Sequence, residues 1–349
     1  MAETPYRIQP RQPEGAPLFI EPASDDDLGR LCDWLCENAG QVQDGLTLHG
    51  AILFRGFPVE GPGDFERLAR CVDEELKNEY LGTSPRDALT DYVFNASELP
   101  DYFPIPQHCE MSFCANPPRR LFFCALEAPA EGSGETPLCD FRRVWQDLDP
   151  GVKKRFEEGG LRHVRNYAGP GQPDSGDTTQ LKPWPDMFQT HDRAVVEETC
   201  RREGFEPVWV EGDALRLVST QPVSRDHPRT GETAWHNHVT TFHVGTAVGE
   251  YERIARFRSS ERHQGVLEMA RTLQERLRAT PPEERGMHST YLDGSEIPDE
   301  DLEHVRDVVW RNLIVEPWRQ GDVVAIDNHS MSHGRLPYEG PRRIAVCWA

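Results

Sequence analysis

An imidazole and a carboxylate stand two residues apart near the middle of the chain, at His108 and Glu110. In a β-strand, residues two apart project from the same face, so we expect the two side chains to point together. They are two of the three ligands of a 2-His-1-carboxylate triad, which binds iron(II) and leaves positions open for substrate and oxygen. Such pairs also occur by chance, so this interpretation requires a third ligand and a co-substrate anchor.

Segment 327–335 offers two histidines as the third ligand, His329 and His333. They lie four residues apart, and the residue types alone leave both open. Earlier in the chain, His236 and His238 form a His-x-His pair that could also chelate a metal, because imidazole is a common ligand of transition metals. The sequence therefore holds more histidines than one triad needs.

A late arginine, Arg343, is the candidate anchor for a dicarboxylate co-substrate, because a guanidinium binds a carboxylate through two parallel hydrogen bonds. It begins a predicted strand at 343–348, in which alternation places Ala345 and Cys347 on the same face as Arg343. Arg342 falls on the opposite face. Small residues beside Arg343 suit a pocket wall, so we predict that Arg343 faces the site.

The chain has 349 residues and a formal net charge of −21. That charge argues against a nucleic-acid partner, whose phosphates would repel the protein. No apolar run reaches membrane-spanning length, and the N-terminus lacks the apolar core of a signal peptide. The nine cysteines form no repeated Cys-x-x-Cys framework, which is typical of a reducing compartment. We predict a cytoplasmic protein with a small-molecule substrate and no membrane partner, and the sequence carries no signal for its oligomeric state.

Hydrophobic periodicity and turn residues divide the chain into helices and strands. We predict a single domain over 1–349, with a polar, proline-rich N-terminal arm at 1–20. Between 167 and 184 the prolines and glycines exclude regular structure, and we predict an active-site lid there. Predicted helices begin after residue 27 and cover about 64–77, 190–203, 250–278 and 298–311, and predicted strands cover 50–57, 121–126, 322–326 and 343–348.

These motifs together resemble the iron(II)/2-oxoglutarate dioxygenases of the TauD/TfdA family. The resemblance rests on His-x-Glu, on the distal pattern D-N-x-x-x-x-H-G-R, and on the P-R-R-I strand that follows. It is closest to the clavaminate-synthase-like branch, which uses glutamate where other members use aspartate. Further stretches that fit the family pattern lie at 50–57, 80–86, 95–98, 134–137 and 165–167.

The resemblance implies a mainly β fold with flanking helices, built on a double-stranded β-helix (jelly roll) core. It implies that His108, Glu110 and His333 hold the iron, because the family spacing favours His333 over His329. It also implies that Arg343 pairs with the distal carboxylate of 2-oxoglutarate. The same co-substrate is expected to accept a hydrogen bond from Thr136.

Substrate contacts are expected from four polar side chains, Asn95, Arg165, Asn166 and Asn237. Related enzymes carry a tryptophan and an asparagine at the pocket wall near Asn237. This sequence differs from them by placing His236 and His238 around that asparagine. The role of these two histidines stays open between substrate contact and structure.

The implied activity is the hydroxylation of an unactivated C–H bond in a small molecule, such as an amino acid or a natural-product intermediate. It would use iron(II), 2-oxoglutarate and O2, with release of succinate and CO2. Halogenases of this fold replace the carboxylate ligand with a small residue, so Glu110 favours hydroxylation or a related oxidation. Two alternatives are a non-catalytic metal-binding module and a zinc hydrolase. Under the zinc-hydrolase alternative Arg343 would have no role, and the sequence contains no His-Glu-x-x-His motif to support it.

Overall fold

The structure, a computed structural model, describes residues 4–13, 15–82, 86–97, 99–172 and 180–349. Within these ranges the chain forms seventeen strands and eleven helices. The strands are β1 (Tyr6–Pro10), β2 (Leu18–Pro22), β3 (Ala51–Phe54), β4 (Phe94–Asn95), β5 (Ile105–His108), β6 (Arg120–Glu127), β7 (Leu138–Asp140), β8 (Leu161–Tyr167), β9 (Phe205–Val210), β10 (Ala214–Gln221), β11 (Ser224–Asp226), β12 (Thr233–Trp235), β13 (Met287–Thr290), β14 (Leu313–Ile314), β15 (Val323–Asp327), β16 (Met331–Arg335) and β17 (Arg343–Trp348). The helices are α1 (Leu28–Glu37), α2 (Ala39–His49), α3 (Pro62–Val72), α4 (Phe141–Asp147), α5 (Pro150–Gly159), α6 (Trp184–Phe188), α7 (Arg193–Glu203), α8 (Val239–Phe242), α9 (Thr246–Phe257), α10 (Glu261–Ala279) and α11 (Asp299–Arg311).

Seven strands form the largest sheet, in the order β1-β2-β3-β15-β6-β17-β4. Strand β6 lies inside it, antiparallel to β15 on one side and to β17 on the other. Residues 121–125 of β6 are buried on both faces of the sheet. That double burial explains why the predicted strand reads as a continuous apolar run rather than an alternating one.

A second sheet, in the order β14-β7-β16-β5, packs against one face of the large sheet. Leu138 and Met331 of the second sheet share a hydrophobic cluster with Phe123 and Val346 of the first. The opposite face of the large sheet is covered by α1, α2 and α3. The chain is therefore sheet-rich with flanking helices, as the sequence predicts.

The other strands form two smaller sheets. A four-stranded sheet has the order β13-β8-β10-β9, and β11 pairs with β12. Helix α8 packs on β5, β8 and β13, and α9 packs along α10. These elements bring 241–247, 273–277 and 285–287 to the wall of the cavity described below. None of the helices in the described ranges is long and apolar enough to cross a membrane.

Two predictions of local structure need correction. The N-terminal arm is extended, but β1 and β2 pair with each other and β2 pairs with β3, so they belong to the large sheet. Its proline-rich composition hides this, because only a few residues such as Ile20 are buried there. The helix predicted at 250–278 is two helices, since Ser260 caps α10 by accepting a hydrogen bond from the backbone N–H of His263.

Candidate active site

Two neighbouring strands bring the first pair of candidate ligands together. Strand β5 ends at His108, and β16 runs antiparallel to it with His333 directly opposite His108. The centroids of the two imidazole rings lie 4.3 Å apart. The pairing explains how residues 225 positions apart in sequence (333 − 108) come to share one site.

Glu110 reaches the site from a turn rather than from a strand, which corrects the expected His-x-Glu strand geometry. Strand β5 stops at His108, and Glu110 lies in the turn that follows. Asn328 holds that turn, because its side-chain oxygen accepts from the Glu110 N–H at 2.7 Å and its amide donates to the Glu110 carbonyl at 3.0 Å. Asn328 is part of the family pattern in the sequence, but spacing does not reveal this task.

The three side chains form a compact, buried donor set. Ligand atoms of His108, Glu110 and His333 all lie within 4.8 Å of one another and could hold a metal ion. Oε2 of Glu110 is 3.6 Å from Nε2 of His333 and 4.0 Å from Nε2 of His108. His329 lies apart from this group, beside the rings of His227 and His236.

The electrostatics of the site favour the forms that bind metal. Burial, followed by the neighbouring His333, lowers the pKa of His108 to about 4, so its imidazole is neutral near pH 7. Burial alone would raise the pKa of Glu110, but Arg86 and the two histidines outweigh it and hold that pKa below its usual value. A neutral imidazole and an ionised carboxylate are the forms that coordinate a metal.

The donor set opens onto a cavity of about 450 Å³. Its size and mixed walls are typical of small-molecule sites. Among the described residues Glu110 is the one acidic side chain in the wall. The basic side chains in the wall are Arg86, Lys182, Arg285, Arg335 and Arg342.

A second polar group lines the same cavity around Arg342. Its Nη2 donates to the hydroxyl oxygen of Thr136 at 3.3 Å, and its Nε donates to the Gly134 carbonyl at 2.8 Å. Trp318 also donates to the Thr136 hydroxyl, at 3.2 Å. Thr136 therefore lies in the cavity wall beside an arginine, and its contact with a co-substrate stays a prediction.

That arginine is not the predicted one, because Arg343 is exposed and lies outside the cavity wall. Even-numbered residues of β17, such as Ile344 and Val346, face the second sheet, whereas Ala345 and Cys347 face the helices. The small residues thus make room for helix packing rather than for a ligand. Because side chains alternate, Arg342 falls on the cavity side with Ile344, and Arg343, next to a register shift at the start of β17, is exposed.

The Arg342 guanidinium differs from those of Arg86 and Arg285 in its ion pairing. Among the described residues, no carboxylate lies within ion-pairing distance of its guanidinium, although other wall arginines such as Arg86 and Arg285 have one. Burial, with Arg335 next in effect, lowers the pKa of Arg342 to about 9. A guanidinium that is largely removed from water and lacks a partner is costly, and an anionic ligand would remove that cost.

The four expected substrate residues lie outside the cavity wall. Arg165 is buried behind it, between the rings of Phe113 and Phe205. Asn166 points to the other side of β8, where its amide donates to the carbonyls of Glu283 and Arg285.

Asn95 lies in a short strand, and the side chain of Asn237 hydrogen-bonds to the backbone. Asn95 pairs with Ala345 across the sheet, and its neighbours Ala96 and Ser97 reach the cavity in its place. Asn237 is buried; its amide donates to the Val223 carbonyl, and its oxygen accepts from the N–H of Val239.

The two histidines beside Asn237 differ in position. His238 lines the cavity, with its ring centroid 4.9 Å from that of His108 and its Nδ1 2.6 Å from the Ser112 hydroxyl. His236 is buried away from the cavity, with Nε2 3.2 Å from the Asn328 carbonyl. His238 is thus placed to contact a ligand, and His236 supports the residue that holds the Glu110 turn.

Both ends of the predicted lid at 167–184 have a defined place. Gln180, Leu181 and Lys182 line the cavity, and Tyr167 forms a β-bridge with Leu181. Residues 173–179, the middle of the predicted lid, lie outside the described residues, as do 83–85 and 98 of the stretches that fit the family pattern. The lid itself stays a prediction.

A buried histidine near the site gives a test by pH. Burial, with Arg165 next in effect, lowers the pKa of His163 to about 3 from an ordinary value of 6.5. Between about pH 6.5 and pH 3, His163 is therefore protonated in the unfolded chain but neutral in the folded protein. The free energy of unfolding consequently falls as the pH drops below about 6.5. Between pH 6.5 and 5.0 this costs up to about 2 kcal/mol, at about 1.4 kcal/mol per pH unit.

Replacing His163 with Gln should remove that part of the pH dependence. The measurement is the free energy of unfolding by urea at both pH values, for the wild type and the variant. His191→Gln, at an exposed position, should keep the wild-type difference. An unaltered pH dependence in His163→Gln would contradict the argument.

Known proteins share this sequence pattern and fold. Residues 8–348 match the family described as taurine catabolism dioxygenase TauD, TfdA family. The chain is 28% identical over 305 residues to the dapdiamide synthesis protein DdaC of Enterobacter agglomerans, a match that covers 87% of this chain and 83% of that protein. It is 27% identical over 300 residues to a clavaminate synthase-like protein of Arabidopsis thaliana, covering 84% and 80%. The crystal structure of PvcB from Pseudomonas aeruginosa is similar with a TM-score of 0.51 at 16% identity, over 100% of this chain and 92% of that one, and shows a shared fold.

Proposed function

The chain belongs to the TauD/TfdA family and is an iron(II)- and 2-oxoglutarate-dependent dioxygenase, and from this premise we propose that His108, Glu110 and His333 hold its iron. The observation that carries the proposal is the buried donor set within 4.8 Å, open to a cavity. Two imidazoles and one carboxylate fit iron(II), because they fill one face and leave the others free. Family membership favours this interpretation over a zinc hydrolase or a non-catalytic metal-binding module.

We propose that Arg342 and Thr136 bind 2-oxoglutarate. The support is the Arg342 guanidinium in the cavity wall, which lies beside a hydroxyl and has no carboxylate partner within the described part of the chain. A guanidinium fork matches a carboxylate, and the Thr136 hydroxyl can donate to a second oxygen. The seven-stranded sheet and the four-stranded sheet packed against it would then form the jelly-roll core that surrounds the iron and the 2-oxoglutarate.

We further propose that the substrate is a small molecule hydroxylated at an unactivated C–H bond. Iron(II), 2-oxoglutarate and O2 would together supply the oxidising chemistry: one oxygen atom of O2 enters the succinate that forms with CO2, and the other becomes the hydroxyl group of the product. The protein orients both and excludes water with the apolar cavity wall. A biosynthetic role, on an amino acid or a natural-product intermediate, is supported by the similarity to a dapdiamide synthesis protein.

The charge of the cavity wall favours an anionic substrate. Among the described residues the wall holds five basic side chains and one acidic one, whereas the whole chain has a net charge of −21. Iron(II) and doubly ionised 2-oxoglutarate add no net charge together. A substrate with a carboxylate would therefore meet a positive field. We also propose a cytoplasmic location, which the nine unpaired cysteines support.

The function is tested by binding and by turnover. Adding 2-oxoglutarate to the iron(II)-loaded protein without oxygen should produce a metal-to-ligand absorption band that needs both components. Candidate amino acids and natural-product intermediates, each with its amide or ester analogue, are then screened for faster succinate release. Absence of the band would refute the proposed binding sites.

Glu110→Ala should lower succinate release sharply while the protein stays folded. Even outer partners of metal ligands are worth about 10–100-fold, so a ligand should cost roughly 100-fold or more. Glu127→Ala, an exposed carboxylate at the end of β6, is the matched control and should keep the wild-type rate. An undiminished rate in Glu110→Ala would mean that this carboxylate is not a required ligand.

A further inference from the structure

Arg86 is hydrogen-bonded to the carboxylate of the donor set. Its Nη2 donates to Oε2 of Glu110 at 3.2 Å, and its side chain is 11% exposed. Oε2 is also the oxygen nearest to the two imidazoles, at 3.6 Å and 4.0 Å from their Nε2 atoms. The guanidinium therefore contacts the atom that would face a metal ion.

Arg86 is fixed in this place by aromatic contacts. Its guanidinium lies over the ring of Tyr80 at 4.3 Å and over that of Trp348 at 5.8 Å. Nη2 also donates to the Tyr80 hydroxyl at 2.9 Å. That hydroxyl in turn donates to Oε1 of Glu110 at 3.4 Å. Both carboxylate oxygens of Glu110 thus have a hydrogen-bond donor other than the two histidines.

We propose that Arg86 is a positioning residue that holds Glu110 as a single-oxygen ligand and raises the reduction potential of the iron. The inference rests on the proposed iron site and deepens it. With both oxygens of Glu110 restrained, the carboxylate cannot rotate to bind through both of them. A coordination position then stays available for 2-oxoglutarate or oxygen.

The effect on the potential follows from charge. A positive charge that shares the ligating oxygen of Glu110 with the metal weakens that oxygen as a donor. It also repels iron(III) more strongly than iron(II), because Coulomb repulsion grows with charge. Partners of metal ligands are known to tune a metal centre in this way. Arg86 should therefore favour the iron(II) state that the enzyme uses.

A purely structural role makes a different prediction. If Arg86 only neutralises Glu110 in the metal-free protein, its loss would lower stability without moving the potential of bound iron. If it instead binds the substrate, its loss would change substrate affinity alone. Among the described residues its Nη1 is buried without a hydrogen-bond partner, so that atom is closed to a ligand in this structure.

The experiment measures the iron(III)/iron(II) midpoint potential and the dissociation constant of 2-oxoglutarate in iron-loaded protein. Arg86→Gln should shift the potential downward and weaken 2-oxoglutarate binding several-fold. Arg86→Lys keeps the charge and should stay closer to the wild-type potential. Arg343→Gln removes an exposed charge and should leave both values unchanged.

Tyr80→Phe is the second variant, in case Arg86→Gln does not fold. It removes one donor to the carboxylate and should shift the potential in the same direction by less. An unchanged potential in the folded Arg86→Gln protein would overturn the proposal, and so would an unchanged potential in Tyr80→Phe if the former is unfolded. A wrong assignment of the iron site is detected separately. In that case His108→Ala would bind iron as the wild type does.

Discussion

His108→Ala and His333→Ala should each abolish iron-dependent conversion of 2-oxoglutarate to succinate while the protein stays folded. Each removes one of three donors that lie within 4.8 Å of one another. Since the partners of metal ligands alone are worth about 10–100-fold, loss of a ligand should weaken iron(II) binding by more than ~100-fold. The measurements are iron content after anaerobic gel filtration and succinate released with saturating 2-oxoglutarate.

His329→Ala is the matched control for the distal ligand. It lies on the same segment as His333, but its ring stacks near His236 rather than in the donor set. We expect it to keep wild-type iron binding and succinate formation. If His333→Ala binds iron normally and His329→Ala does not, the distal ligand is misassigned.

The sequence predicts which residues form the donor set better than it predicts how they are held. His108 and His333 come together because β5 and β16 pair antiparallel, a contact that no local spacing encodes. The spacing predicts Glu110 on the same strand as His108, yet the strand ends first and Asn328 fixes the turn. Residue type thus indicates the chemistry, whereas tertiary hydrogen bonds decide the geometry.

Strand register is the point at which sequence reasoning fails. Small residues such as Ala345 and Cys347 suggest a pocket wall, but they pack against helices. Alternation alone gives two equal faces, and only the layer that covers each face tells them apart. The same limit applies to Asn166, whose strand fits the family pattern but whose side chain points away from the cavity.

Fold elements are predictable where burial is one-sided or complete. Apolar periodicity predicts helix α3, although the helix ends at Val72 rather than near residue 77, and a continuous apolar run predicts strand β6. Helix α2 is absent from the sequence prediction because its sequence mixes small and polar residues with few apolar ones, and its buried side chains are Val42, Leu46 and Thr47. Its stability comes from packing on the large sheet, which sequence periodicity does not record.

The register correction leads to the sharpest test of the co-substrate site. Arg342→Ala should weaken 2-oxoglutarate binding, because it leaves the distal carboxylate unpaired in a partly dry cavity. Truncating one partner of a buried charge pair costs roughly 2–5 kcal/mol. At about 1.4 kcal/mol per tenfold, this is a loss of some thirtyfold or more.

Arg343→Ala is a matched control one residue away, since Arg343 is exposed and lies outside the cavity wall. It should keep the wild-type affinity, measured by titrating 2-oxoglutarate into the anaerobic iron(II) protein and following the metal-to-ligand band. Arg342→Lys should recover only part of the loss, because an ammonium cannot reproduce the two parallel hydrogen bonds of the guanidinium. If Arg343→Ala loses affinity for 2-oxoglutarate and Arg342→Ala does not, the sequence prediction that Arg343 faces the site is correct. Equal affinities in the two variants would place the distal carboxylate elsewhere in the cavity. Because the two variants remove the same charge from adjacent positions, a difference between them measures direct contact and not the general field of the protein.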